Sequence, residues 1–486
     1  MALSGFQVVI GCEVHAQLLT RSKIFCGCST AFGGEPNAHT CPVCLGLPGS
    51  LPVLNQRVVE MAVTVGLALG CAVRERSVFA RKNYFYPDLP KGYQISQYEL
   101  PICEGGSVPF AVDGQERVAR LTRIHMEEDA GKNVHGVSAD GASGVDLNRA
   151  GVPLLEIVSE PDLRSADEAV EYVRALRAVL MALGVSDGNM QEGSLRCDAN
   201  VSVMRQGAER YGTRCEIKNM NSFRFLKAAI EYEARRQVEI VEGGGKVEQE
   251  TRLFDPDRGE TRSMRSKEEA HDYRYFPEPD LPPVVVPAAL RERLRAALPE
   301  LPRARARRYQ DALGLSAYDA GVLVADPQVA AWFDRALEAY GAGREAAKKV
   351  ANWVNGEVAR LAHEAGAGPA AWKLTPERLA AVLRMVDRGT LGGPGAKQVV
   401  EEVYRTGAEP AAVVEARGLT QVSDEGAVEA VVDQVLLASP VEVERHRSGK
   451  KDLTGFFVGR VMRELRGKGN PAVVNALLKK KLGGGS

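Results

Sequence analysis

The chain has 486 residues, which is too long for one ordinary domain and predicts two to four. With 45% hydrophobic and 26% charged residues, it is predicted to be globular, with enough apolar side chains for sizeable cores. Its formal net charge of -1 excludes a uniformly basic nucleic-acid binder, so any contact with RNA has to come from local patches.

The amino-terminal residues do not have the pattern of an export signal. Glu13 and His15 interrupt the sequence before an apolar region of signal-peptide length develops. The most apolar later run, Met61 to Val73, is too short to cross a bilayer and predicts a buried helix. Nine cysteines, an odd number, indicate a reducing compartment with free or metal-bound thiols. We therefore expect a cytoplasmic protein with no membrane partner.

The first part of the chain is predicted to mix strands, turns and a few helices. Ser165 and Glu168 form a capping box that begins an amphipathic helix, and a second helix is predicted between Asn221 and the glycines at 243–245. The predicted strands are short runs of β-favouring residues: Gln7–Ile10, Arg117–Ile124 and Ala199–Val203.

Composition changes after the proline-rich stretch Phe276–Pro283, which predicts a boundary there. The following residues have helical periodicity, and a second boundary is predicted near Gly407–Pro410. The last helical segment becomes basic, with nine Lys/Arg against two Asp/Glu from Lys450 to Lys481. Gly483–Ser486 is expected to be a flexible tail or an added sequence.

Four cysteines have the spacing of a zinc knuckle. Cys26 and Cys28 are followed, after twelve residues, by Cys41 and Cys44. Two thiolate pairs joined by a short loop suit a tetrahedral Zn²⁺ site, which would be structural because no coordination position stays open. The alternative is four free thiols in a loop, and the C-x-C form of the first pair lowers the specificity of the pattern.

Several acids occur in sequence contexts that favour a shared metal site. Glu13 and His15 point to the same face of a strand, whereas Asp198 and Glu216 lie in or beside strand-like segments. Carboxylates that converge on one sheet face repel one another unless cations neutralise them, and oxygen-rich sites suit Mg²⁺. Mg²⁺ in turn suggests a nucleoside triphosphate. The alternative is a set of solvated acids that never meet.

The segment from Arg81 to Tyr93 interleaves cations with aromatic residues, a mixture that stacks unpaired bases and binds phosphates. An aromatic loop packed on the sheet explains it equally well. The chain contains no P-loop motif, so a nucleotide would have to bind elsewhere.

A series of blocks resembles one family, the B subunits of the aspartyl/glutamyl-tRNA amidotransferases. They occur in the family's order and cover the first 290 or so residues densely. The matching segments are Val9–His15, Arg81–Asp88, His125–Lys132, Asp146–Arg149, Glu192–Asn200, Glu216–Phe223 and Asp272–Asp280. The C-terminal match is weaker and rests on Gly455–Met462 and Lys468–Pro471.

The resemblance implies an α+β fold in three parts. Residues 1–294 would form a catalytic cradle with an antiparallel sheet related to glutamine synthetase. Residues 295–408 would form a helical domain, and residues 409–486 a small YqeY-like tail that binds tRNA.

The resemblance also implies the reaction. ATP would phosphorylate the side-chain carboxylate of glutamate or aspartate on a misacylated tRNA, and ammonia would then displace phosphate. The implied Mg²⁺ ligands are Glu13, His15, Glu128, Asp198 and Glu216, with Glu127 as a further catalytic candidate. Other family positions would bind phosphate, line an ammonia passage or seat the tRNA 3′ end: Lys82, Tyr84, Tyr86, Lys91, Arg196 and Lys218.

The implied partners are an amidase A subunit that makes the ammonia, a small C subunit and the tRNAs Glu-tRNA(Gln) and Asp-tRNA(Asn). A cognate aminoacyl-tRNA synthetase is a further candidate. Glu128 and Lys91 would handle protons at the mouth of the ammonia passage. Two other interpretations are a non-catalytic tRNA-binding module and a stand-alone ligase for free amino acids. The long helical half argues against the second of these.

Overall fold

The computed structural model describes residues 5–134, 136, 142–266, 270–421, 425–448, 453–465 and 469–482. Gly483–Ser486 and parts of the basic run from Lys450 to Lys481 lie outside these residues. The chain divides into two compact units, Met1–Pro302 and Arg303–Ser486. The fold is mixed α/β, with a large sheet in the first unit and helices in the second, as the sequence predicted at this level.

The first unit is built on a ten-stranded sheet within the described residues. Its strands are β1 Phe6–Gln17, β2 Ala72–Val73, β6 Cys103–Glu104, β7 Ser107–Val112, β8 Gln115–Glu128, β11 Pro153–Ser159, β12 Leu195–Arg205, β13 Cys215–Lys218, β14 Glu250–Asp255 and β15 Glu260–Ser266. Their order across the sheet is β15-β14-β13-β12-β1-β11-β8-β6-β2, with β7 added on β8. Neighbouring strands are antiparallel except for the parallel pair β13 and β14.

One face of this sheet is apolar because alternate residues of each strand point the same way. Ile10, Cys12 and Val14 of β1 belong to the buried core, as do Ile157 and Ala199 on the flanking strands. Three helices supply apolar residues to the same core: α2 Gln56–Ala68, α3 Ala166–Ala182 and α4 Phe223–Glu242. The intervening residues of the central strands, which include Glu13, His15, Glu156 and Asp198, therefore face away from this core.

Smaller sheets complete the first unit. Its remaining elements are β3 Arg76–Ser77, β4 Ala80–Asn83, β5 Tyr93–Ser96, β9 Lys132–Val134, β10 Gly144–Asp146, β16 Phe276–Pro277, β17 Val284–Val285, α1 Pro42–Leu45 and α5 Ala288–Ala296. The proline-rich stretch Phe276–Pro283 lies within this unit, because β16 pairs with β4 and Glu278 is buried in contact with Arg81.

The second unit is helical and has two apolar clusters. Its helices are α6 Pro302–Asp311, α7 Ala317–Val324, α8 Pro327–Tyr340, α9 Arg344–Trp353, α10 Ala359–Ala365, α11 Pro376–Asp387, α12 Gly393–Thr406, α13 Pro410–Arg417, α14 Glu425–Leu437, α15 Pro440–Arg447, α16 Thr454–Glu464 and α17 Pro471–Leu482. One cluster extends from Tyr309 to Val414 and the other from Val428 to Leu482. A π-helical turn, Val354–Val358, joins α9 to α10.

Local sequence signals agree with this fold in most places. The three predicted strands lie inside β1, β8 and β12, and the Ser165 hydroxyl accepts from the Glu168 backbone N–H at the start of α3. The apolar run ending at Val73 is not one helix, because α2 ends before Gly70, which has a φ of 71°. Within the described residues, no helix is long and apolar enough to cross a membrane.

Candidate functional site

Strand pairing brings distant polar residues onto one face of the sheet. In β1, Glu13 is opposite Asp198 of β12, and His15 is opposite both Arg196 of β12 and Glu156 of β11. Directly opposed side chains lie about 4.5–5.5 Å apart at Cβ, so these residues form one continuous polar surface. The next pairs continue it outward, with His125 opposite Glu156, Glu216 opposite Asn200 and Thr251 opposite Glu216.

The centre of this polar face is a carboxylate–imidazole cluster. His15 Nε2 lies 3.3 Å from Glu156 Oε2 and 3.6 Å from Glu127 Oε1. A second imidazole, His125, lies 3.5 Å from Glu156 and 3.8 Å from Glu127. Glu127 and Glu156 are both buried, and their oxygens and His15 are close enough together to bind one metal ion.

The cluster is electrostatically coupled. Burial lowers the pKa of His15, but the hydrogen bond and charge of Glu156, with Glu127 and Asp198, raise it overall to about 9. Burial likewise opposes ionisation of Glu156, yet the imidazoles of His125 and His15 hold the pKa of that carboxyl well below its usual value. At neutral pH the carboxylates therefore stay ionised and His15 carries a proton, which a metal ion that binds His15 has to displace.

A lysine bridges the acids on the other side of β1. Lys218 Nζ donates to Asp198 Oδ2 at 2.6 Å and lies 3.4 Å from Glu216 Oε1. Burial lowers the pKa of Lys218, but the charges of Asp198 and Glu216 raise it overall. Glu216 also accepts from the Thr251 hydroxyl at 2.8 Å, and Glu13 accepts from the Asn200 amide at 2.8 Å.

Lys82 faces the same region from β4 and is surrounded by tyrosines. Its Nζ lies 4.8 Å from the ring centre of Tyr273 and 5.8 Å from that of Tyr84. Burial lowers the pKa of Lys82, but nearby groups that include Glu127 and Glu156 raise it overall. Tyr84 donates to Gln94 at 3.1 Å and packs edge-on against Tyr86, which is 41% exposed.

Arg196 is held in place by a buried carboxylate. Asp129 accepts from both guanidinium nitrogens of Arg196, at 3.1 and 3.2 Å, and from Gln17 at 2.8 Å. Arg149 lies 3.6 Å from the same carboxylate. Burial raises the pKa of Asp129, but Arg196 and Arg149 lower it overall. Arg196 is therefore fixed at the edge of the polar face.

Glu128 does not join the cluster. Successive residues of a strand point to opposite faces, so the Glu128 side chain points away from Glu127. It contacts the Lys91 ammonium group and accepts from the Ile95 backbone N–H at 2.8 Å. The pair anticipated from the resemblance is thus in contact, whereas the acids that lie against His15 are Glu127 and Glu156.

Glu156 and His125 are site residues that the sequence did not reveal. Glu156 is the single charged residue in the apolar strand Pro153–Ser159, and a lone carboxylate in such a strand is expensive to bury without a role. A single acid in an apolar strand is therefore a sequence feature that could have indicated Glu156 as a site residue. His125 lies in a family block but has no role predicted from it, because its position opposite Glu156 depends on strand register.

Three cavities follow the polar face. One of about 500 Å³ is lined by residues that include Glu13, His15, Lys82 and Glu216. A second, of about 420 Å³, shares His15 and Lys82 with it and adds residues such as Arg196. The third, of about 590 Å³, shares Glu13 with the first and has mainly polar neighbours, among them Asn200, Ser202 and Arg214. These sizes are typical of small-molecule sites.

The four cysteines form a second candidate site, the cysteine knuckle: Cys26, Cys28, Cys41 and Cys44. Their sulfur atoms lie within 4.8 Å of one another, and Cys44 Sγ is 3.6 Å from Cys26 Sγ and 3.8 Å from Cys41 Sγ. Zinc–sulfur bonds of about 2.3 Å in a tetrahedron give sulfur–sulfur edges of about 3.8 Å. The donor set therefore fits zinc, and the knuckle can bind a metal ion.

The contacts within the knuckle favour ionisation of one of its thiols. The hydrogen bond from Cys26 lowers the pKa of Cys44 to about 4, and the charge of Lys23 adds to this effect against burial. Burial raises the pKa of Cys28 to about 11, with the hydrogen bond to Cys41 adding to the rise. A thiolate next to protonated thiols is the state expected before a metal displaces the remaining protons.

Two family models match the chain and define its class as a GatB-type protein. Residues 8–292 match the GatB/GatE catalytic domain, and residues 332–482 match the GatB domain. The sheet and its polar face thus lie within a catalytic domain of this class.

Full-length relatives then give the family. A protein of Anaeromyxobacter dehalogenans (strain 2CP-1) is 81% identical over 483 residues, which cover 99% of this chain and all of the relative. A Myxococcus xanthus protein is 60% identical over the same coverage. Both are named as the B subunit of an aspartyl/glutamyl-tRNA(Asn/Gln) amidotransferase. The chain belongs to this family, as the sequence blocks predicted.

Proposed function

We propose that the protein amidates glutamate or aspartate attached to tRNA(Gln) or tRNA(Asn), in a reaction that consumes ATP. The relatives' name, which specifies a tRNA and an amidotransferase, supports this substrate class. In the proposed reaction, a side-chain carboxylate oxygen bonds to the γ-phosphorus of ATP and ADP leaves. Ammonia then attacks the carbonyl carbon, phosphate leaves with that oxygen, and Gln-tRNA(Gln) or Asn-tRNA(Asn) remains.

The observation that carries the proposal is the polar face of the sheet. Glu13 and Asp198 line two neighbouring cavities, and both cavities are also lined by His15, Lys82 and Lys218, so anionic and cationic side chains lie close together. A nucleotide phosphate and a carboxylate are both anions and repel each other. Nearby cationic side chains offset this repulsion, so such an arrangement can bind the two groups side by side. The neighbouring cavity of about 590 Å³ has room for the rest of a nucleotide.

The chemistry of amide formation explains why the site has to bind both the nucleotide phosphate and the substrate carboxylate. A carboxylate is a poor acyl donor because its leaving group would be oxide, whereas an acyl phosphate releases phosphate readily. The transferring phosphoryl group spreads charge over its oxygens, and catalysis consists mainly of positioning and charge stabilisation. Lys82, Lys218 and Arg196 face these cavities and supply positive charge for those oxygens.

The donor set also fits magnesium, which prefers oxygen ligands. Bound magnesium would neutralise charge on the nucleotide phosphates. We propose that Glu13, His15, Asp198 and Glu216 serve as ligands, with Glu127 and Glu156 in the place expected for Glu128. Lys218 keeps Asp198 and Glu216 together until the cation binds.

Glu128 and Lys91 are proposed to handle protons for the incoming ammonia. Ammonia attacks only as the neutral molecule, so a carboxylate in direct contact with an ammonium group can take up or return a proton. The ammonia itself is proposed to come from a partner amidase subunit.

The remaining assignments concern the tRNA and its partners. Tyr84 and Tyr86 are proposed to seat the tRNA 3′ end by stacking. Residues 1–294 would be the glutamine-synthetase-like cradle, residues 295–408 a helical domain, and residues 409–486 a YqeY-like tail that contacts the tRNA body. A small third subunit, a cognate synthetase and a cytoplasmic location complete the proposal.

An isotope experiment tests the acyl-phosphate step. The protein with its partner subunits is given ATP, Mg²⁺, glutamine and Glu-tRNA(Gln) whose side-chain carboxylate carries ¹⁸O. One labelled oxygen is expected in each phosphate released, because that oxygen bridges carbon and phosphorus in the intermediate. Unlabelled phosphate with normal amide formation would overturn the proposed route.

Variants assign the step to the polar face. Asp198→Ala and Glu216→Ala are expected to abolish labelled phosphate release while tRNA binding persists. Glu171→Gln changes a partly exposed carboxylate on α3 that pairs with Arg174, and this matched control should behave as wild type. Normal turnover in both alanine variants would leave only an RNA-binding scaffold.

A further inference from the structure

Lys23 is a fully buried lysine that the proposed reaction does not use. Burying an ammonium group costs several kcal/mol unless acceptors and negative charge surround it. Its Nζ donates to the His39 carbonyl at 2.7 Å, to the Leu147 carbonyl at 3.2 Å and to Cys44 Sγ at 3.3 Å. Three acceptors match the three donors of an ammonium group, so this position is built for a charged lysine.

The charge of Lys23 suits a metal-bound knuckle. Zinc held by four thiolates has a net charge of −2, and Lys23 places a positive charge against one of the sulfurs. Groups that hydrogen-bond to metal ligands fix their orientation and tune the affinity. Lys23 is therefore a stabilising neighbour of the metal site as well as a link to Leu147.

The loop between the two thiol pairs is also fastened to the segment 145–148. The Asn37 side chain donates to the Val145 carbonyl at 3.0 Å and accepts from the Leu147 N–H at 2.8 Å. The His39 N–H donates to Asn148 Oδ1 at 2.8 Å. Asn37 has a φ of 62°, a backbone conformation that asparagine tolerates better than most residues. These contacts hold the two loops in a fixed register.

Arg149, the residue after Asn148, connects this segment to Asp129, the carboxylate that binds Arg196. Arg149 donates to the Ala130 carbonyl at 3.0 Å and lies 3.6 Å from the Asp129 carboxylate. Asp129 binds Arg196, which is opposite His15 in the sheet. An unbroken series of contacts therefore joins the knuckle sulfurs to Arg196.

We propose that the cysteine knuckle positions Arg196 for the reaction, with Lys23 and Asn148 as the linking residues. The bound metal fixes the knuckle loop, the loop fixes the segment 145–149, and Arg149 with Asp129 holds Arg196 beside His15. This inference rests on the proposed function where it concerns catalysis. Its metal-binding part does not depend on that function.

The first test measures zinc retention of the full-length protein against an excess of a coloured chelator. Lys23→Met is expected to weaken zinc retention about 10–100-fold, the range found when partners of metal ligands are removed. Lys227→Met is the matched control, because Lys227 is exposed and pairs with Asp167. Equal zinc retention in Lys23→Met and wild type would overturn the role of Lys23.

The second test is a cycle that combines zinc removal with Asn148→Ala, which leaves Lys23 and all four thiols in place. Phosphate release is measured in the complex with its partner subunits. Stripping zinc from wild type should lower kcat at least tenfold with little change in the KM for ATP. The Asn148→Ala variant should already have a low kcat. Removing zinc from this variant is expected to lower kcat by less than a further factor of two.

Two outcomes would overturn the coupling. One is an unchanged kcat when zinc is removed from wild type. The other is a kcat for zinc-free Asn148→Ala that is reduced by the product of the two separate fold-losses. Asn475→Ala, a surface asparagine of α17, controls for the substitution itself. If wild type released no phosphate at all, the proposed function would fail. Zinc retention in Lys23→Met would still decide the role of Lys23.

Discussion

The two units differ in what they bury. The first unit buries acids in and beside its sheet, among them Glu127, Asp129, Glu156 and Glu216, as well as the cation Lys23. In the described part of the second unit, no charged side chain is buried, and ion pairs such as Arg335–Glu377 lie at the surface. Buried charge lowers stability unless it is paired, whereas an apolar helical core has no such cost.

This contrast indicates a division of labour. Charges kept out of water interact strongly with one another and with a bound anion or cation, which is useful where charge develops during a reaction. The described part of the helical unit buries no such charges. We therefore expect substitutions in the first unit to affect activity most, and substitutions in the second to affect stability or tRNA affinity.

The largest effect is expected from Glu156→Gln. The change removes one of the two carboxylates beside His15, and we expect kcat for phosphate release to fall roughly 10²–10³-fold, as for the loss of one preorganised electrostatic group. The Tm should also fall, because the charge of Glu156 stabilises the folded state beside His125 and His15, which hold its pKa well below the usual value. A large drop in Tm with normal activity would mean that Glu156 serves stability and not the reaction, contrary to the role expected for buried charge in the first unit.

The next effect is expected from Leu383→Ala in the helical core, where Leu383 has no exposed surface. The free energy of unfolding should fall by about 2–5 kcal/mol because a cavity is left. The kcat per folded molecule should stay within twofold. Chemical denaturation and steady-state kinetics on the same preparation check both, and a specific loss of kcat would give this unit a catalytic role.

Asp129→Asn is expected to lower stability by about 3 kcal/mol near neutral pH, because Arg196 and Arg149 lose a buried charge partner. The folded pKa of Asp129 lies below its unfolded value, so its stabilisation is present above about pH 4 and disappears as pH falls through the folded pKa. Denaturation curves of both proteins should therefore converge at low pH. A constant difference would mean that packing, not charge, is responsible.

Deleting residues 425–486 removes the last apolar cluster but leaves the cluster ending at Val414 intact. We expect the KM for tRNA to rise about tenfold, equivalent to about 1.4 kcal/mol of lost binding, with kcat changed less than twofold. A collapse of kcat at unchanged KM would show that the tail acts in the reaction.

The smallest effect is expected from Arg335→Ala. The Arg335–Glu377 pair lies largely in solvent, as its side chains are 63% and 58% accessible. Such pairs contribute about 0–1 kcal/mol, and less at high salt. Urea denaturation at two salt concentrations checks this, and a loss above about 2 kcal/mol would mean that surface charge matters in this unit after all.

Several features could be predicted from local sequence. The alternation of side chains in a strand was enough to put Glu13 and His15 on one face. The Ser165–Glu168 pair was enough to begin α3, and the cysteine spacing was enough to indicate a metal knuckle. Each of these depends on residues close together in the chain, where local geometry decides the outcome.

Other features depended on strand register. Which of two adjacent acids, Glu127 or Glu128, faces His15 is decided by how β8 pairs with β11, because a shift of one residue turns every side chain to the other face. Glu156 enters the site only because β11 lies beside β1. The family blocks indicated the family but could not supply this pairing.

The sequence by itself determined the family, the mixed architecture and the types of residue that form the site, because these follow from short motifs and periodicity. The tertiary structure alone decided which acids meet, how Lys218 bridges Asp198 and Glu216, and how the knuckle connects to Arg196. The physical reason is that these contacts join segments far apart in the chain, and only the packed sheet fixes their distance and direction.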